Sequence, residues 1–258
     1  MEWQYLDTGF HCGQFNMDFD ESLVRSLAEG NGRPTIRVYG WNPPAISLGW
    51  NQQMDEIDCE KARADGVDVV RRPTGGRAIL HSEELTYSVT MLSAGRNILT
   101  VYNEISQALV LGIGKLGAGV SLQKSQPHFP TLYQSPSSAA CFSSSARYEI
   151  LLGGKKLVGS AQRRYAMNNG GDVVLQHGSL LLGSDHRRLV NYLKFMDTGN
   201  REKLSREMED KTTHLSAELN RRVSYEEAAH AVRAGFEEAW GISLNRADLE
   251  LSTIGQTA

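Results

Sequence analysis

The chain has 258 residues, of which 40% are hydrophobic and 22% are charged, as expected for a globular protein that can bury a full core. Three scattered cysteines are too few for a disulfide framework or a zinc site, no apolar run reaches the roughly 18 residues that span a bilayer, and the N-terminus lacks signal-peptide character. We therefore expect a cytoplasmic protein that binds neither membranes nor nucleic acid.

The charge is unevenly distributed, although the net charge is only −3. Residues 71–165 carry 11 Lys and Arg against 4 Asp and Glu, whereas residues 1–70 carry 5 against 12. A positive region of this kind would attract acidic partners, although solvated charges also cluster by chance.

Hydrophobic periodicity predicts a mixed order of helices and strands. The predicted elements are, in chain order, a helix at 15–28, strands at 35–39 and 45–48, a short helix at 57–64, strands at 67–70, 78–80 and 86–91, a helix at 100–116, and strands at 148–152, 156–163 and 173–182. The chain reads as helical from residue 185, and Ser224 with Glu227 forms a capping box ahead of a helix that ends at Gly241.

Strands dominate the middle of this pattern and helices dominate its ends. The order favours an α+β fold with a largely antiparallel or mixed sheet flanked by helices. We expect a catalytic domain over residues 1–200, with residues 201–258 as a small helical extension packed on it or as part of the same domain.

A basic glycine turn follows the strand predicted at 67–70. Gly75 and Gly76 lack side chains, so their backbone N–H groups can approach a ligand closely, and Arg71 and Arg72 have the geometry to pair with phosphate oxygens. A hairpin turn with exposed arginines is the alternative, because double-glycine turns are common.

A cysteine and a lysine flank a second glycine turn. Cys141 lies among small polar residues, and Lys156 follows the turn at Gly153 and Gly154. A nearby ammonium favours the thiolate, which is the nucleophilic form of cysteine, so the pair suggests acyl transfer. Strand alternation puts Lys155 and Lys156 on opposite faces, so one can point to solvent and the other to a cleft.

Two histidines lie near strand ends in apolar surroundings. His81 and His177 each fit a hydrogen-bonded structural role, which is the commoner outcome, as well as a role in binding. No spacing resembles a metal site, a Walker A loop or a dinucleotide fingerprint. We therefore expect no metal.

Several segments of the chain together indicate a protein family more specifically than any one of them does. The chain resembles the lipoate–protein ligase A-like superfamily, which also includes biotin ligases and octanoyltransferases, over most of its length. The segments that carry the resemblance are 15–21, 37–41, 47–49, the signature RRPTGGRAILH at 71–81, and KLVGSAQ at 156–162.

The resemblance implies a biotin/lipoate protein ligase-like catalytic domain with an acyl-binding site. The residues implied in binding are Arg71, Arg72, Gly75, Gly76, His81, Gly159, Ser160, Ala161 and His177. The signature histidine is usually followed by Asp, whereas Ser82 follows His81 here. If that carboxylate orients a ligand group, its role is either absent or taken by Glu83 or Glu84.

Cys141 indicates which enzymes of this superfamily the chain resembles most. Cys141, with the QHGS segment at 176–179 downstream, resembles octanoyltransferases that take octanoate from acyl carrier protein, and the chain lacks the length for a ligase's full additional domain. The resemblance implies that Cys141 carries the octanoyl group as a thioester and that Lys156 assists, either as a cation or as a base. A lysine of a lipoyl domain or of the glycine-cleavage H protein would then accept the group.

This interpretation requires no cofactor and predicts a monomer. The first alternative is an ATP-dependent lipoate–protein ligase, which would use ATP and Mg and form a lipoyl-adenylate. A second, from another class, is a non-catalytic protein that binds an acyl group or its carrier on the same fold.

Overall fold

The structure is a computed structural model that describes residues 2–123, 149–168, 170–194 and 197–246. The strands within these residues are β1 (Gln4–His11), β2 (Thr35–Trp41), β3 (Ala45–Leu48), β4 (Asp68–Arg71), β5 (Ile79–His81), β6 (Glu84–Leu92), β7 (Val120–Leu122), β8 (Ile150–Leu152), β9 (Lys155–Ala166), β10 (Asp172–Leu181) and β11 (Asn245–Arg246). The helices are α1 (Gly13–Ala28), α2 (Cys59–Ala64), α3 (Ile98–Lys115), α4 (Thr198–Lys211), α5 (Leu215–Glu218) and α6 (Tyr225–Trp240), with 3₁₀ segments at Met54–Glu56 and Asp185–Tyr192.

The described strands form two sheets. The larger sheet has the order β11-β1-β2-β6-β10-β9-β8-β7, and the smaller one has the order β4-β3-β5. Pairing is parallel between β1 and β2, β1 and β11, and β3 and β4, and antiparallel elsewhere in the described sheets. The predicted α+β fold with a mixed sheet is confirmed.

Hydrophobic burial places the helices on the sheet. The largest core cluster joins apolar residues of β2, β6 and β10 to those of α3 and α6. All seven residues of β2 are buried, which is the pattern of a strand covered on both faces. Helix α1 contacts β6 and β10 and buries residues such as Met17 and Phe19, so it brings its polar residue Asp20 into the interior as well.

The hairpin of β8 and β9 has the predicted glycine turn. Gly153 and Gly154 both adopt positive φ, 59° and 78°, as a two-residue hairpin turn requires. The capping box is confirmed in part, since the Ser224 side chain accepts from the N–H of Glu227, and Gly241 ends α6 in the left-handed conformation.

The sequence patterns did not indicate β1. Its register shifts between Asp7 and Phe10, and Gly9 has φ of 70°, so the bulge interrupts the period-two alternation that marks a strand. Residues 201–246 pack on the remainder of the chain, since the Thr213 N–H donates to the Lys156 carbonyl (3.0 Å) and β11 pairs with β1. The division at residue 200 stays a prediction.

Candidate acyl-binding site

A narrow pocket is enclosed by side chains from both sheets and from α1. Its lining consists of Met17, Tyr39, Trp41, Ser47, Arg72, Ile79, His81, Thr86, Gly159, Ser160, Ala161, His177, Gly178 and Ser179. Six of the nine predicted binding residues therefore meet at one place, although they come from distant parts of the sequence. Arg71, Gly75 and Gly76 do not line it.

Arg72 stabilises the backbone beside this pocket through hydrogen bonds. It is 4% exposed, and its guanidinium donates to the carbonyl of Ser47 (2.9 Å), to that of Gly75 (2.9 and 3.2 Å) and to that of Arg77 (2.8 Å). These bonds fix the glycine turn against β3, so the side chain is engaged with its own loop instead of pointing outward for a phosphate.

Arg71 holds the neighbouring loop in the same manner. Its Nη1 atom lies within hydrogen-bond distance of the carbonyls of Gly49, Trp50 and Gln52, at 3.1, 3.0 and 2.5 Å. Gly76 has φ of 99°, and a Cβ placed on Gly49 would lie 2.0 Å from the Gly76 carbonyl oxygen. The glycines thus permit two backbone segments to touch at the edge of the pocket.

His81 is held between a hydroxyl and a carboxylate. Its Nδ1 lies 2.8 Å from Glu84 Oε1, its Nε2 lies 2.7 Å from Ser47 Oγ, and its ring stacks on Trp41 with 4.0 Å between ring centroids. A carboxylate only accepts, so Nδ1 of His81 donates to Glu84, while Nε2 lies within hydrogen-bond distance of the Ser47 hydroxyl. Burial alone would raise the pKa of Glu84, yet the charge and hydrogen bond of His81 bring it below its usual value.

The structure thus shows which acidic residue contacts the signature histidine. Glu84 does, and Ser179 and Thr86 also donate to its Oε1, at 2.8 and 2.6 Å. Glu83 instead accepts from the backbone N–H of Asp185 (3.3 Å), and Ser82 donates to the Asp185 carboxylate (3.0 Å). Of the two residues proposed to replace the missing Asp, only Glu84 faces His81.

His177 has a similar pair of partners on the other side of the pocket. Its Nε2 lies 2.6 Å from Thr74 Oγ1, and its Nδ1 lies 3.4 Å from Asp20 Oδ2. Burial lowers the pKa of His177, so the ring is neutral, donates toward Asp20 and accepts from Thr74. Asp20 is in turn paired with buried Arg37 at 2.8 Å.

These networks give the pocket an apolar character. The polar groups of His81, His177, Ser47 and Arg72 are satisfied by protein partners, and the aromatic and aliphatic side chains of Tyr39, Trp41, Met17 and Ile79 face the same space. A buried polar group that already has a partner does not need one from the ligand. The arrangement suits a hydrocarbon chain.

Sequence reasoning missed several lining residues. Tyr39 and Trp41 lie two positions apart in β2 and so share a face, and they belong to the segment 37–41 that carries the family resemblance. Met17, Ser47 and Ile79 also lie in such segments, but nothing separated them from their neighbours, and Thr86 carried no signal, because the place of these residues in the site depends on how α1 and the two sheets meet.

Gly178 lies where β10 closely approaches β9 and Tyr87 in the pocket wall. A Cβ at this position would lie 2.5 Å from the Gly159 carbonyl oxygen, 2.6 Å from Ser160 Oγ and 2.8 Å from Tyr87 Cε1. We expect Gly178→Ala to lower the free energy of unfolding by about 1–3 kcal/mol, as over-packing does, when it is measured by urea denaturation.

Gly114→Ala is the matched control, because Gly114 lies in α3 and a Cβ there meets nothing within 4 Å. This variant should gain roughly 0.5–1 kcal/mol from the lower conformational freedom of its unfolded chain. A Gly178→Ala protein as stable as the parent would show that the strands can move apart without cost.

Lys156 lies beside the pocket and does not line it. It is 5% exposed, three positions before Gly159 on β9, and its Nζ lies 2.5 Å from Glu149 Oε1. Lys155, on the opposite face, reaches the exposed carbonyl of Glu209 at 2.8 Å, as alternation predicts. Cys141 lies outside the described residues.

The described residues contain no group of three or more His, Cys, Asp or Glu side chains arranged to hold a metal ion. None of the helices described here is both long and apolar enough to cross a membrane.

The fold matches that of enzymes that handle lipoate. A crystal structure of lipoate-protein ligase A bound with ATP superimposes with a TM-score of 0.74 at 22% identity, over 96% of this chain and 90% of that one. A bipartite lipoate protein ligase from Thermoplasma acidophilum also has a TM-score of 0.74, at 20% identity, over 96% of this chain and 88% of that one. These likenesses define the class of fold.

Sequence similarity identifies the family more specifically than the similarity of fold does. Residues 13–237 match the family described as the lipoyl protein ligase A/B catalytic domain. The octanoyltransferase LipM of Geobacillus kaustophilus is 38% identical, over 94% of this chain and 87% of its own length. The octanoyltransferase LipM of Symbiobacterium thermophilum is 40% identical, over 96% and 89%. The chain belongs to the lipoyl protein ligase A/B catalytic domain family.

Proposed function

We propose that this protein transfers an octanoyl group from octanoyl-acyl carrier protein, through a thioester on Cys141, to a lysine of a lipoyl domain or of the glycine-cleavage H protein. The observation that carries the proposal is the 38–40% identity to curated octanoyltransferases over almost the whole chain. The chain is accordingly an acyltransferase of lipoate biosynthesis, with acyl carrier protein and lipoyl domains as its general classes of partner. Its cytoplasmic location and monomeric state stay predictions.

The first step is a thioester exchange. The Cys141 thiolate attacks the carbonyl carbon of the donor thioester, the bond from that carbon to the pantetheine sulfur breaks, and the pantetheine thiolate leaves and takes a proton. One thioester replaces another, so the step is nearly isoenergetic, and we propose that it needs neither ATP nor a cofactor. Lys156 would stabilise the oxyanion, and one such donor contributes roughly 3–4 kcal/mol in comparable sites.

The second step forms an amide. The neutral ε-amine of the acceptor lysine attacks octanoyl-Cys141, the carbon–sulfur bond breaks, and the proton that the amine loses balances the released thiolate, so the products are the amide and the free Cys141 thiol. An amide is more stable than a thioester, and this difference drives the transfer forward.

An apolar path for the acyl chain would discriminate against short acyl groups. An octanoyl group has six methylenes more than an acetyl group, and their burial at about 0.8 kcal/mol each amounts to roughly 5 kcal/mol in favour of octanoyl. His81 and His177 would form two walls of the chain's path, with their polar atoms turned toward Glu84 and Asp20. Gly159, Ser160 and Ala161 would form another wall through β9.

Intact mass spectrometry tests the proposal. We expect that incubation with octanoyl-acyl carrier protein, without ATP, adds one octanoyl group to the protein, that peptide mapping places it on Cys141, and that a lipoyl domain then removes it. Transfer that requires ATP and releases pyrophosphate would establish a ligase instead. Tight binding of the carrier without an adduct or turnover would establish a binding protein.

A further inference from the structure

Lys156 is paired with a carboxylate that the sequence did not single out. Glu149 immediately precedes β8 and Lys156 is the second residue of β9, and a register shift between Ile150 and Leu151 accompanies the pairing of Leu151 with Lys156. The Nζ–Oε1 distance is 2.5 Å, and the two side chains are 5% and 3% exposed. The pair is therefore almost completely shielded from water.

Burial acts on the two members of this pair in opposite directions. A lysine that is buried alone favours its neutral form, whereas a carboxylate within hydrogen-bond distance favours the ammonium. A short, charge-assisted hydrogen bond also fixes the direction of the amine. We propose that Glu149 is a positioning residue, which keeps Lys156 charged and oriented so that Lys156 serves the acylation of Cys141 as a cation and not as a base. The inference rests on the proposed function.

Charged and titratable groups contact residues 212–213, which lie along Lys156. Thr212 accepts from Arg187 through its carbonyl (3.3 Å) and contacts His186 Nε2 through its hydroxyl (2.9 Å), and Thr213 donates to Glu218 (2.8 Å). The described charged and titratable residues that take part in these contacts or lie closest to them in the chain are Lys155, Asp185, His186, Arg187, Arg188, Glu209, Asp210, Lys211, His214 and Glu218.

Titration of the nearby histidines does not contribute to the pH dependence of acylation between pH 7 and 9. Burial lowers the pKa of His186 to about 4, and burial also lowers that of His214. Both rings are therefore neutral in that range. Arg187 remains charged throughout it.

The test is the pH dependence of acylation in a Glu149→Gln protein, followed by intact mass with octanoyl-acyl carrier protein. Lys156 without its carboxylate should lose its proton at a lower pH than in the parent. If acylation requires the Lys156 cation, the acylation rate of Glu149→Gln persists below the pH at which Lys156 loses its proton, and it falls as the pH rises through that value. We expect the ratio of the acylation rates at pH 9 and pH 7 to drop at least tenfold relative to the parent.

A base role predicts the opposite sign. Easier deprotonation of Lys156 would then leave that ratio unchanged or raise the rate at pH 7, and either result would overturn the inference. Glu149→Asp keeps the charge and should restore the parental pH profile. Glu238→Gln is the matched control, because it breaks the exposed pair with Lys115, whose separation is also 2.5 Å, and should leave the profile unchanged.

A second variant decides the question if Glu149→Gln does not fold. Lys156→Arg combined with Glu149→Asp keeps an ion pair of similar total length, and the guanidinium does not deprotonate in this range. A cation role predicts acylation within about tenfold of the parent and a rate that does not fall at pH 9; a base role predicts a loss of at least about a hundredfold. Failure of the parent protein itself to form the adduct would refute the proposed function and is thereby distinguished from these outcomes.

Discussion

Cys141→Ala protein is expected to form no octanoyl adduct and to transfer octanoate at a rate lower than that of the parent by a factor on the order of 10⁴ or more. Removal of the nucleophile from an enzyme that forms a covalent intermediate leaves only the contribution of binding and oxyanion stabilisation, and comparable losses in a serine protease are about 10⁶-fold. Transfer to a lipoyl domain, measured by the mass of that domain, gives the rate.

Cys141→Ser refines this expectation. The serine hydroxyl ionises far less readily than a thiol, so the ammonium proposed for Lys156 would not generate the nucleophile at neutral pH, and any ester should form slowly. Cys12→Ala is the control, because Cys12 is exposed and free; its adduct and rate should equal those of the parent. Undiminished transfer by the Cys141→Ala protein would eliminate the thioester route.

Local patterns were sufficient for most of the elements. Alternating apolar residues and the glycine pair predicted the hairpin that presents Lys156, and the capping residue Ser224 predicted the start of α6. In these cases the signal and the structure lie within a few residues of each other. The bulge in β1 is equally local, but it removes the alternation on which such a prediction depends.

The pocket depends on contacts that sequence periodicity does not encode. Thr74 and His177 are 103 positions apart, and Asp20 and His177 are 157 positions apart. The sequence pointed to both histidines and named Glu83 and Glu84 as candidate carboxylates beside His81, yet it gave no indication that His177 would lie beside the buried carboxylate of Asp20. Arg72 shows the same limit: its charge suggested an external phosphate, whereas the folded chain surrounds it with its own carbonyls.

Asp20→Asn should cause the largest loss of stability among conservative single substitutions in the site. Both members of the Asp20–Arg37 pair are 0% exposed, with 2.8 Å between Arg37 Nη1 and Asp20 Oδ1. Ser88 and Tyr39 also donate to Asp20, at 2.8 and 3.0 Å. Loss of the carboxylate charge leaves a buried guanidinium uncompensated, which costs about 3–5 kcal/mol. At about 2–4 °C per kcal/mol, the thermal midpoint should fall by roughly 6–20 °C.

The same pair predicts an acid-sensitive part of the stability. Burial tends to raise the pKa of Asp20, yet the charge of Arg37 and the hydrogen bond from His177 bring it below its usual value. A carboxyl group with a depressed pKa in the folded state stabilises the fold above its unfolded pKa of about 3.9, and this contribution is lost as the pH falls toward the folded value. The difference in thermal midpoint between the parent and Asp20→Asn should therefore have its full size at pH 6 and become smaller below pH 4.

Asp65→Asn separates this effect from the general loss of a carboxylate. Asp65 pairs with Lys61 at 2.9 Å, but both side chains are well exposed, at 36% and 45%, so water replaces the lost interaction and the midpoint should not change measurably. Calorimetric scans of the three proteins from pH 3 to pH 7 would measure both quantities. An Asp20→Asn midpoint equal to that of Asp65→Asn would mean that the remaining polar groups around position 20 compensate Arg37 without a charge, and that the buried ion pair does not hold α1 against the sheet.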